Sequence, residues 1–243
     1  VILPSIGAQI SDKDNLRDKI DDISDDVSAY RSTLDNINLI DLLNPSSAAS
    51  RQVSAAAGDL ADQLDSLKGK TASGKAGGGI AVSIPNDVLS VAFVAKANAR
   101  ARVSSYIDQG DIDKLRAVEA VPAAVFGVDP NDLKSKGFGR AAIVSDYGVA
   151  VARQFDISGV PVSVGITPKL QQTWLYNYTV SIYNFDSGDI NSSRYRNDDT
   201  GFNVDAGLAA DFGENWTVGL TGKNLFSRDI DTKEVDGVRD TYQ

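Results

Sequence analysis

The chain has 243 residues, with 33 Asp and Glu against 24 Lys and Arg, a net charge of −9 and a pI near 4.5. It has no cysteine and no histidine, which excludes disulfides, thiolate chemistry, His-centred triads and His–metal sites. So acidic a chain, with no basic stripe, does not read as a nucleic-acid binder. Its 42% hydrophobic and 23% charged residues are ordinary for an ordered domain. No run approaches the roughly 18–20 apolar residues of a membrane helix. That leaves membrane strands open, because their signal per strand is weak.

Residues 1–10 (VILPSIGAQI) predict a strand broken slightly by Pro4. No methionine, charged n-region or cleavage motif precedes it, so the chain reads as an internal piece of a longer frame without a visible signal peptide. Ser11 is placed to cap a helix, with Asp12 and Asp14 in its first turn. Leu16, Ile20, Ile23, Val27, Tyr30, Leu34 and Ile37 then recur at steps of four and three, a heptad stripe. After a connector with Pro45, the series Val53, Ala57, Leu60, Leu64 and Leu67 repeats the spacing. The two stripes predict an αα-hairpin inserted over residues 11–76, zipped on its own seam rather than open to a partner helix.

The stretch GKTASGKA (69–76) matches part of a phosphate-binding loop. Ala76 stands where a magnesium-holding Ser or Thr is needed, and a helix precedes and a strand follows, the reverse of that motif. Its glycines predict a flexible exit from the second helix instead. The Asp-rich run 12–26 also fails as a calcium loop, since Leu16 and Arg17 fall at ligand and glycine positions.

From Gly77 the period becomes two. Ile80, Val82 and Ile84 predict one strand, and Pro85-Asn86-Asp87 a turn. Leu89, Val91, Phe93, Ala95, Ala97, Ala99, Ala101 and Val103 form the apolar face of the next strand. Its other face turns cationic, with Lys96, Arg100 and Arg102. A long connection (104–137) holds a short helix near Ile112–Val121. Residues 138–155 and 161–184 are strands joined by a short link, the second long enough to require a bend near Pro168. A polar loop (185–200) leads to a hairpin, FNVDAGLAADFGENWTVGLTGKNLF, with one greasy face and one polar or tiny face. Residues 227–243 are polar again.

Short connections (85–87, 156–160, 213–215) interleave with long ones (11–76, 104–137, 185–200, 227–243). Outer-membrane barrels have this rhythm, whereas a soluble sandwich rarely keeps it. The fold class expected is mainly β with a helical insertion: about seven strands of an antiparallel up-and-down transmembrane barrel, residues 77–243 forming the bulk of one incomplete barrel domain. The apolar face would meet lipid. Lys96, Arg100, Arg102, Asp205, Asp211 and Lys223 would line the lumen, the cations paired with carboxylates in preference to selecting anions. Phe155, Trp174, Tyr176, Tyr178, Phe212 and Trp216 would form an aromatic girdle. Ser145 and Asp146 in SDYG read as strand sequence. No catalytic, cofactor or metal-binding residues are assigned, and no enzyme is expected.

The segments PSIGAQISDKDNLRDKIDDI, VSVGITPKLQQTWLYNYTVSIYNFD and FNVDAGLAADFGENWTVGLTGKNLF resemble the TraF-like conjugal-transfer family. Its members are expected outer-membrane β-barrels, distantly similar to the long-chain fatty-acid transporter barrels. The resemblance implies a bacterial outer-membrane protein with a structural or transport role, partnered by lipid and by other envelope or conjugation proteins. The alternative it carries is a channel for hydrophobic small molecules. A thioredoxin-like periplasmic protein shares the family name, but the absence of any CxxC argues against that fold.

Overall fold

The computed structural model describes residues 1–12, 15–84, 86, 88–128, 132–184, 189, 192–213 and 215–242. Seven strands form one antiparallel sheet in chain order, β1-β2-β3-β4-β5-β6-β7. They are β1 (Ile2–Ser11), β2 (Thr71–Ile84), β3 (Ser90–Tyr106), β4 (Lys136–Ile157), β5 (Val160–Ser181), β6 (Arg196–Phe212) and β7 (Trp216–Gly222). β1 pairs with β2 alone and β7 with β6 alone, so the sheet is an open curl, a half-barrel. A small hairpin, β8 (Ile230–Asp231) with β9 (Thr241–Tyr242), follows.

The period-two pattern fixes which residues share a face, because cross-strand partners point the same way. Ile80, Ala95, Tyr147, Leu170 and Phe202 form one continuous row from β2 to β6. Lower rows on this apolar face include Val164–Leu208–Leu220 and Phe212–Trp216. The opposite face carries Lys96, Asp146, Lys169, Asn203 and Asp205. The β4–β5 link is a tight turn in which Ser158 and Gly159 both take positive φ (57° and 81°), the geometry of a two-residue hairpin turn. At the expected bend, the β4–β5 ladder omits Val149, Ala150, Thr167 and Pro168, as an imino acid without an N–H requires.

Helices α1 (Leu16–Asn36), α2 (Ala48–Leu67) and α3 (Gln109–Ala120) pack together. Ile23, Val27, Val53, Leu60, Leu64, Leu115 and Val118 make a buried core with Tyr178, Ile182 and Tyr195. The expected αα-hairpin is therefore a three-helix unit seated on the sheet. Asp111 of α3 is buried, and its carboxylate accepts from the amides of Lys134 and Ser135 (2.8 and 2.6 Å), fixing the entry to β4.

Three local expectations change. Ser11 is the last residue of β1, paired with Ser73, and the N-cap is Asn15 in the left-handed region. The glycines of 69–76 do not form a loose exit. Only Gly69 turns the chain, at φ 67°, and β2 begins at Thr71. Glycine weakens a strand interior, and the paired ladders to β1 and β3 on both sides hold the segment extended. The long polar stretches are also shorter than expected, since Arg196–Thr200 belong to β6. Pro85 and Asp87 of the first expected turn, Glu214 of the third and much of 185–191 lie outside the described residues.

Candidate functional site: two faces of one sheet

The apolar face is covered at one end and bare at the other. Toward the long connections Ala72, Val103, Tyr178 and Val180 lie under the helices. Toward the tight turns no helix covers it among the described residues, and Phe226 reaches the Phe202 ring, at 6.3 Å between centroids. Leu170 is 58% exposed, Phe202 52%, Leu220 69% and Trp216 72%. The boundary is a single row. Above Ile80–Ala95–Tyr147–Leu170–Phe202 comes Gly78–Ala97–Ser145–Gln172–Thr200, small or polar throughout. At the β1 edge the apolar run continues into this row at Ile6 and above it at Ile10.

The aromatic residues divide along the same line. Phe155, Phe212 and Trp216 are exposed beside the tight turns, the last two as cross-strand partners. Trp174 and Tyr176 are half-buried just above the boundary. Tyr178 is not a rim residue. It is 2% exposed and packs edge-to-face on Tyr195 at 4.8 Å between centroids. Its place in the helical core could not be read from strand periodicity, which assigns a face but not what covers it. Arg153 shares the apolar face, four residues from the end of β4, with its guanidinium 5.4 Å from the centroid of the Phe155 ring.

The polar face brings together residues from four strands. Lys96 of β3 reaches Asp146 of β4 at 3.0 Å and Asp205 of β6 at 3.7 Å. Lys169 of β5 reaches Asp205 at 2.6 Å and Asp146 at 3.4 Å. Two cations and two carboxylates thus alternate in one network, and Gln171 donates to Asp146 at 2.9 Å. Asp146 and Lys169 are almost wholly buried. Such burial is tolerable only because each charge faces opposite ones. The expected pairing of Lys96 is present, and neighbours Ser145 and Asp146 point to opposite faces. Asp211 lies on this face too, accepting from the Thr217 hydroxyl at 2.7 Å. Lys223 is the first residue after the end of β7.

Residues 227–242, expected only as polar loop, lie across this face together with 223–226 from the end of the expected hairpin. Asn177 donates to the carbonyls of Lys233 and Val238 (2.7 and 2.8 Å). Asn203 donates to the carbonyl of Phe226 and accepts from its amide (3.0 and 3.1 Å). Lys169 donates to Asn224, whose amide donates to Asp205 (2.6 and 2.8 Å). Arg228 pairs with Asp199, Arg140 with Asp240 and Lys136 with Asp236. Gly201 makes room for the Arg228 guanidinium, which an added Cβ would overlap. Every sheet residue in this set is on the polar face of β4, β5 or β6. Asn177 and Asn203 were missed in the sequence because isolated asparagines in a strand carry no periodic signal.

This is a half-barrel of the up-and-down class, carrying a helical cap on one face and a strap on the other. The chain belongs to the family described as the F plasmid transfer operon TraF protein, whose model matches residues 1–243. No curated protein and no solved structure matches it.

Proposed function

We propose that the chain is the strand-bearing part of a bacterial outer-membrane protein, with a non-enzymatic structural or transport role in conjugal transfer. One observation carries this reading: the run of large apolar side chains stops at a single row of small or polar residues, at the same level on β2 through β6. A soluble sheet buries its apolar face, and monomers rarely leave so large an apolar patch open. A membrane strand needs about nine to eleven residues, and Phe202 to Phe212 is a bare segment of that size. Aromatic side chains at both margins fit interfacial positions. Arg153 sits near the lower margin, where its long side chain can extend to the headgroups. No helix is long and apolar enough to cross a membrane, so crossing rests on the strands.

The family supports conjugation proteins as partners, and the helical cap is the element placed outside the bilayer to meet them. The test is heat modifiability. The protein, expressed behind a secretion leader in a Gram-negative host, should migrate differently boiled and unboiled in the outer-membrane fraction. An unshifted band in the soluble fraction would overturn the reading.

A further inference from the structure

The polar face is unevenly filled. Over β4–β6 the strap and its carboxylates neutralise the cations. Over β1–β3 there is no strap among the described residues. Instead a cavity of about 510 Å³ opens, lined by Gln9, Lys75, Lys96, Asn98 and Arg100 with Gly77 and Gly78 in its floor. In a chain of net charge −9, the charged residues of β1, β2 and β3 are Lys75, Lys96, Arg100 and Arg102, with neither Asp nor Glu on any of the three.

Their register concentrates the charge. Lys75 is the direct cross-strand partner of Arg100, and Arg102 stands opposite Arg140. Like charges facing each other across a ladder are destabilising. Arg140 is relieved by Asp240 and Lys96 by Asp146. Among the described residues no ion pair reaches Lys75, Arg100 or Arg102. Gln9 is the partner of Lys75 on its other side. Asn98 lies across Gly77, where an added Cβ would come within 2.6 Å of its Oδ1. Two guanidinium groups two residues apart on one strand, a lysine facing one of them and two side-chain amides form a donor set without an acceptor charge. Guanidinium forks match the geometry of phosphate oxygens.

We propose that this cavity binds a polyvalent oxyanion of the phosphate-ester class, held by Lys75 and Arg100 with Arg102 above them. The anion supplies the counter-charge that the carboxylates supply over β4–β6. The proposal does not depend on what meets the apolar face, so its failure and that of the membrane reading are separable.

The test is calorimetric titration of the folded full chain with inorganic pyrophosphate. Secondary structure is checked by circular dichroism for every variant. One equivalent should bind, more weakly as salt rises, and should raise the thermal midpoint. Lys75→Gln with Arg100→Gln should weaken binding by about tenfold to a hundredfold, while Arg100→Lys loses less. Arg51→Gln on α2, distant in the fold, should leave binding unchanged. Absence of binding in the folded protein would overturn the proposal. So would an equal loss in Arg51→Gln, or full retention in the double variant.

Discussion

One sheet face meets two surroundings. At the end of the long connections its side chains are as buried as any protein core: Tyr178 sits under the helices with Leu60, Leu64 and Leu115. Below the row Gly78–Ala97–Ser145–Gln172–Thr200, the same alternation puts Leu170, Phe202, Leu208 and Leu220 in the open. Hydrophobic pattern therefore does not specify hydrophobic burial within the protein. What separates the two ends is the chain supplied by the connections. The long ones between β1 and β2 and between β3 and β4 provide helices whose apolar stripes cover the sheet, and the tight turns provide none.

The largest expected effect lies in the covered region. Leu64→Ala removes a side chain with no exposed surface and should cost about 2–5 kcal/mol, read by chemical denaturation. Leu170→Ala, in the bare band, should cost far less in detergent, since little protein packs on it. Next comes Leu220→Arg. With lipid on this face it should cost about 2–4 kcal/mol near the midplane, measured by folding into vesicles. With water on this face the effect would stay within about 0.5 kcal/mol.

Tyr30 gives a smaller and sign-sensitive effect. Its hydroxyl is buried without a hydrogen-bond partner among the described residues, and burial, aided by Tyr183, raises its pKa to about 12. An acid whose folded pKa is raised contributes stability that is present below the unfolded value of 10.0 and lost as pH climbs through the folded one. The helical cap should therefore weaken at alkaline pH, seen as loss of helical ellipticity with the rise of tyrosinate absorbance. Tyr30→Phe should remove that loss and stabilise the cap by about 1 kcal/mol at neutral pH. The smallest effect is at Asp26, raised by burial and by Asp59, Asp22 and Asp25. Its contribution falls as pH rises above the usual carboxylate value of 3.8, and Asp26→Asn should flatten that part of the thermal-midpoint profile.

The strands, their order and their two faces were legible because period-two alternation is a local property. Ile80, Tyr147, Leu170 and Phe202 reveal their shared face without any knowledge of register. The helices were legible through the stripe of Val53, Ala57, Leu60, Leu64 and Leu67. What fills each face was not, because that depends on contacts between distant segments. The strap over Asn177 and Asn203 comes from polar sequence with no period. Lys75 was hidden inside a glycine-rich run that resembles a phosphate loop, and only its pairing with Arg100 places it in a basic cavity. Of the cations expected to find carboxylates, Lys96 does so through Asp146 and Asp205, on two other strands. Arg100 and Arg102 face the unfilled half of the sheet.

The central claim is that the bare band meets lipid. Since the chain has no cysteine, single substitutions can be labelled uniquely. Val164→Cys, Ile166→Cys and Leu208→Cys sample the bare band, and Ser163→Cys and Thr167→Cys the polar face, each carrying a nitroxide in vesicle-reconstituted protein. The account predicts collisions with oxygen and little access for a water-soluble nickel complex at 164, 166 and 208, with the reverse preference at 163 and 167. Ready access of nickel to all five positions would contradict it.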